Sequence, residues 1–245
     1  MINPKYYCQF IGSVRSGHTI VSQVLNSHKD VVISDELNAV GLSQTMYRDE
    51  LFKAIITKDK KSYKSGYPSF GYKYPIGHYQ GKTEQPLVIG DKFAGGNTTR
   101  FLEQKNLDKF MQVVGKPFKF VWVIRNPIDQ IQSKVKLANL NGGGKFSEVE
   151  TNIRHCKMQD DIARRIEKDY DVKRVYLDEL IYNTEQEIID LMNFFELDID
   201  SEHIRICKGV FFKEPHGHGE TDNKALLEYY QEYLKEKNDR EKVDK

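Results

Sequence analysis

Two stretches of the chain hold residue types that bind phosphate, and two more hold groups able to move a proton or steady a charge. The first is Gly12-Ser-Val-Arg15-Ser16-Gly17-His18-Thr19. It lies between an apolar run, Tyr6 to Ile11, and an amphipathic stretch with Ile20, Val24 and Leu25 on one face. A strand, a glycine turn and a helix start in that order make an anion site, because unpaired N–H groups converge there and the helix dipole favours negative charge. Gly17 lets backbone approach a phosphate closely, Ser16 and Thr19 add hydroxyls, and Arg15 brings a charge fixed at any physiological pH. The spacing nearly matches the G-x-x-x-x-G-K-[ST] loop of ATP-binding enzymes, yet His18 stands where the lysine would reach the β- and γ-phosphates. An imidazole is shorter and mostly neutral near pH 7, so an ATP-dependent kinase is disfavoured. A glycine turn between strand and helix also occurs with no ligand at all, and residues elsewhere must decide.

The second stretch follows the strongest strand candidate, Phe118 to Ile124, which is apolar on both faces as a central parallel strand should be. It ends at Arg125-Asn-Pro127, and open α/β sheets bind ligands at the carboxyl ends of their strands. Ser133 falls two helical turns further, on the same side, so a guanidinium and a hydroxyl can meet one phosphate. The competing role for Arg125 is pairing with a carboxylate such as Asp129. Asp35 and Glu36 follow a short strand at 31–34, where either carboxylate can take a proton or cap the next helix. Lys92 ends the strand candidate at 86–93, where a cation stabilises a leaving phosphate or pairs with Asp91 at the surface.

With its cation ahead of Ser-Gly, Val14-Arg-Ser-Gly-His-Thr19 resembles the 5′-phosphosulfate loop of the sulfotransferases that use 3′-phosphoadenylyl sulfate (PAPS). Ile124-Arg-Asn-Pro-Ile-Asp-Gln-Ile-Gln-Ser133 resembles their 3′-phosphate motif, about 110 residues later and in the same order. The resemblance implies an α/β fold of the P-loop NTPase-like kind, a three-layer sandwich with a central parallel sheet. It implies PAPS as sulfuryl donor, its bisphosphate as product, and no metal. By this likeness Arg15, Ser16, Gly17, His18 and Thr19 hold the 5′-phosphate, and Arg125 with Ser133 the 3′-phosphate. Glu36 is the general base, with Asp35 in reserve, while Lys92 and Arg15 stabilise the transferring and leaving groups. His18 replaces the first threonine of the family's pair. The family's basic C-terminal loop falls near Lys208, Lys213 and His216, and Tyr176 stands one place from a tyrosine that stacks on adenine, so it is not carried over. The rival readings are a P-loop nucleoside or small-molecule kinase using ATP, and a nucleotide-binding module without turnover.

Composition sets the frame. With 37 basic and 36 acidic residues among 245, net charge is +1, so no global field draws the chain to nucleic acid or acidic membrane. Three cysteines, Cys8, Cys156 and Cys207, have no close spacing, which fits neither a disulfide framework nor a zinc site and agrees with a reducing, cytoplasmic setting. No apolar run is long enough to span a membrane.

Strands alternating with helices imply crossover connections and one domain over 1–245. Helices are expected at 47–61, 127–140, 147–169 and 184–197, with a strand at 172–177 and a charged helix from about 221. The segment 62–86, with tyrosines at 63, 67, 72, 74 and 79, has no period and reads as a lid or acceptor loop. The acceptor class stays open among small molecule, carbohydrate and peptide.

Overall fold

The computed structural model describes residues 2–66, 68–69, 72–73, 76–210 and 219–243, with backbone alone at 68–69, 72–73, 241 and 243. Its elements begin with β1 (Tyr6–Ile11), α1 (His18–Asn26), β2 (Val31–Ser34), α2 (Ala39–Leu42) and α3 (Arg48–Lys64). A two-residue antiparallel pair follows, β3 (Pro68–Ser69) with β4 (Tyr72–Lys73). Then come β5 (Val88–Asp91), α4 (Ala94–Arg100), α5 (Gln104–Val114), β6 (Phe118–Ile124) and α6 (Pro127–Leu140). The chain continues with α7 (Val149–Asp169), β7 (Val172–Tyr176), α8 (Leu177–Tyr182), α9 (Thr184–Phe194), α10 (Ser201–Lys208) and α11 (Lys224–Val243).

Five strands form one parallel sheet in the order β2-β5-β1-β6-β7. Alternation along β6 shows how the layers divide. Phe120 and Trp122 pack with Tyr7, Ile11 and the apolar faces of α3, α5 and α7, while Val121 and Val123 pack with Phe10 and those of α1, α9 and α10. Because both faces are covered, the central strands read as unbroken apolar runs. Gly90 in β5 is obligatory, since a Cβ there would stand 2.0 Å from the Cys8 carbonyl oxygen.

A smaller apolar cluster joins α6, α7 and α11 through Ile131, Ile153, Cys156 and Leu226. α6 begins as its sequence dictates: Asn126 accepts from the Ile128 N–H, and Pro127 occupies the first turn. The stretch 62–86 is more structured than its composition suggests, because α3 runs on to Lys64 and the β3–β4 pair follows it. Among the described residues no helix is long and apolar enough to cross a membrane.

Candidate functional site

The carboxyl ends of β1, β2, β5 and β6 bring together residues far apart in sequence. The turn after β1 is strained in the way tight ligand loops are. Gly12 and Gly17 have φ of 103° and 102°, and Arg15, a non-glycine, has φ of 70°. A Cβ on Gly17 would meet Leu177 Cδ1 at 2.8 Å, so the turn lies hard against the start of α8. No side chain caps α1 and no acidic residue stands in its first turn, which leaves its leading N–H groups for an anion.

The two phosphate-type motifs meet directly. Arg15 Nε donates to Ser133 Oγ at 2.9 Å, and Arg125 Nη1 donates to the Arg15 carbonyl at 3.3 Å. Ser133 accepts from Arg15 and keeps its own O–H to donate. Ser16 is turned inward, donating to the Ser13 carbonyl at 2.6 Å.

A second network lies at the other end of the loop. Lys92 is buried, and its ammonium donates to Thr19 Oγ1 at 3.0 Å, with Asp35 Oδ1 at 2.6 Å and Glu36 Oε1 at 3.3 Å. Neither carboxylate caps a helix, because Asn38 caps α2 by accepting from the Gly41 N–H. Asp91 is not the partner of Lys92. Its carboxylate accepts from Ser34 Oγ at 2.9 Å and from the N–H groups of Leu37 and Ala39 at 3.0 and 2.8 Å. Burial pushes this carboxyl up while those donors pull it down. Asp91 thereby ties the 35–39 segment to the sheet, and Glu36 and Asn38 sit there at φ of 54° and 65°. Asp35 is 13% exposed and tightly paired, whereas Glu36 is 49% exposed and loosely paired. Glu36 is therefore the carboxylate open to a second molecule.

His18 faces neither rim. Its ring is buried, edge-on to Phe10, with Nε2 3.1 Å from the Ile11 carbonyl. Burial first, and then the charge of Lys92, lower its pKa to about 4, so it is a neutral donor bracing the turn against the end of β1. Its side chain serves the loop.

Sequence reasoning missed the side chains that support the turn from below. Gln130 donates to the Val14 carbonyl at 3.0 Å and to Ser16 Oγ at 2.6 Å. Lys134 reaches Ser13 Oγ at 3.2 Å, and Thr98 accepts from the Gly12 N–H at 2.9 Å. A signal existed, since Gln130, Ser133 and Lys134 recur at helical spacing on one face of α6. Lys208 ends α10 in an ion pair with Glu185 at 2.6 Å. Lys213, His216 and the side chains of Tyr67, Tyr72 and Tyr74 lie outside the described residues. Among the described residues no group of three or more metal-ligating side chains forms a metal site.

No family model matches the chain, and no curated protein matches it in sequence. Solved structures do. The sulfotransferase domain of a Synechococcus olefin synthase is 15% identical, with 94% of this chain and 89% of that one covered and a TM-score of 0.53. The sulfotransferase domain of the curacin biosynthetic pathway gives 13%, 84% and 78%, and 0.53. A sulfotransferase from Alicyclobacillus acidocaldarius gives 12%, 95% and 92%, and 0.53. At such identities the likeness speaks for architecture: the chain has the sulfotransferase fold.

Proposed function

We propose that the chain is a PAPS-dependent sulfotransferase, acting over 1–245 as one catalytic unit and moving a sulfuryl group to an acceptor hydroxyl or amine. The observation that carries this is the meeting of Arg15, Ser133 and Arg125 at one end of the turn while Lys92, Thr19 and Glu36 meet at the other. These residues fit a donor with two phosphate-bearing ends. When bound, PAPS supplies the sulfuryl group and leaves as adenosine 3′,5′-bisphosphate.

The turn from Ser16 to Thr19, with the open start of α1, holds the 5′-phosphate, and Arg125 with the Ser133 hydroxyl holds the 3′-phosphate. Lys92, already on Thr19, places a positive charge where negative charge builds on the leaving oxygen, and Arg15 adds a second. Asp35 neutralises Lys92 in the free protein. Glu36 is the loosest and most exposed of the lysine's contacts, so it is the one released to take the acceptor's proton.

The test compares thermal shifts with adenosine 3′,5′-bisphosphate and with ATP-Mg²⁺, followed by bisphosphate release from PAPS with phenolic, sugar and amine acceptors. A shift with the bisphosphate and acceptor-dependent release are expected. Glu36→Gln should keep the shift and lower release by about 100-fold or more. A shift with ATP-Mg²⁺ alone would replace this reading with a kinase. Bisphosphate binding without release to any acceptor would leave a nucleotide-binding module.

A further inference from the structure

α6 sends two buried side chains beneath the phosphate-type turn, one helical turn apart. Gln130 brackets the backbone, as described. Lys134, 6% exposed, donates from Nζ to Ser13 Oγ at 3.2 Å and to Cys156 Sγ at 3.3 Å. Neither group brings a compensating negative charge. Burial pushes the Cys156 thiol up, against the pull of Lys134, so the sulfur keeps its proton at neutral pH. No carboxylate pairs with Lys134 among the described residues. Its field is nonetheless felt: His155 on α7 is lowered by burial first, then by Lys134 and Lys145. An ammonium taken from water without a counter-charge is costly. Here that cost falls directly under a turn already shaped for an anion.

We propose that Lys134 is a further positioning residue of the donor site: through Ser13 it carries to the bound phosphate, from beneath the turn, the charge that a lysine at position 18 would have brought from within it. This rests on the preceding reading only in that the turn holds phosphate. The arrangement accounts for a phosphate loop working with a neutral His18. It also predicts that removing the charge spares the free protein while weakening the bound one, which a merely structural lysine would not produce.

The experiment measures melting temperature without ligand, and affinity for adenosine 3′,5′-bisphosphate and for inorganic pyrophosphate, in wild type, Lys134→Met and Lys134→Arg. In Lys134→Met the unliganded melting temperature should hold or rise. Both ligands should bind about 10- to 100-fold more weakly, as for a lost charged contact, and Lys134→Arg should recover part of the loss. Unchanged affinities, or a variant that no longer folds, would overturn the inference and leave the donor reading intact. If wild type binds pyrophosphate and not the bisphosphate, the PAPS reading fails while the pyrophosphate comparison still decides on Lys134. If wild type binds neither, both are overturned.

Discussion

Replacing His18 with glutamine tests whether the ring is a buried brace or a solvent-facing site group. Gln can still donate an N–H toward the Ile11 carbonyl, but it does not titrate. In the fold, burial and Lys92 hold the imidazole near a pKa of about 4, against 6.5 as its ordinary value. An open chain takes up the proton near 6.5, and the fold resists until about 4, so across that window the unfolded state binds more protons. The contribution to stability is therefore complete above pH 6.5 and is lost as pH falls toward 4. The gap is worth about 3 kcal/mol at neutral pH. Asp160 works in the opposite sense. Burial first raises its carboxyl to about 6, so its contribution is largest in acid and is lost as pH rises from 3.8 through 6. Both proteins contain Asp160, so the difference between them isolates the histidine. Urea unfolding of wild type and His18→Gln from about pH 7.5 to about pH 4.5 should show wild type losing about 2–3 kcal/mol relative to the variant. A difference flat to within about 0.5 kcal/mol would refute the buried, neutral ring. A wild type gaining on the variant in acid would mean that the ring is a paired cation.

Two further outcomes follow from the same contacts. Arg125→Ala should weaken adenosine 3′,5′-bisphosphate by about 1.5–3 kcal/mol, the range for a charged hydrogen bond, and leave adenosine 5′-phosphate little changed by calorimetry. An equal loss for both would mean that Arg125 acts only by holding the Arg15 carbonyl. Asp91→Asn should destabilise the protein by about 1–3 kcal/mol in urea, because an amide has one acceptor where the carboxylate meets donors with both oxygens. Turnover should fall further than bisphosphate affinity, since Asp91 anchors the segment bearing Glu36. A loss under about 0.5 kcal/mol would remove that anchoring role.

Much of the framework was legible because its signals are local. The run of β6, apolar on both faces, required a covered parallel strand, and α6 follows it over 127–140 as the Asn126-Pro127 start implies. Where the signal is short or mixed, the sequence does not delimit an element. The two-residue strands β3 and β4 carry no period, and α5 and α10 lie in stretches where the sequence alone leads one to expect no element. The strand, glycine turn and helix around 12–19 were legible because glycine spacing and a following helix are sequence properties.

What no spacing rule contains is the direction in which each side chain leaves the backbone once strands from distant segments are adjacent. From sequence alone the chain specified the strand-turn-helix cradle, the strand-end Arg125 and the pairs of candidate carboxylates and cations. Packing decided that Lys92 is held by Asp35 more closely than by Glu36, that His18 turns inward to the Ile11 carbonyl, and that Lys134 stands under the loop. Each of those outcomes depends on burial, and those of Lys92 and Lys134 on neighbours tens of residues away; burial, far more than composition, sets which charge is paired, which is neutral and which stays exposed.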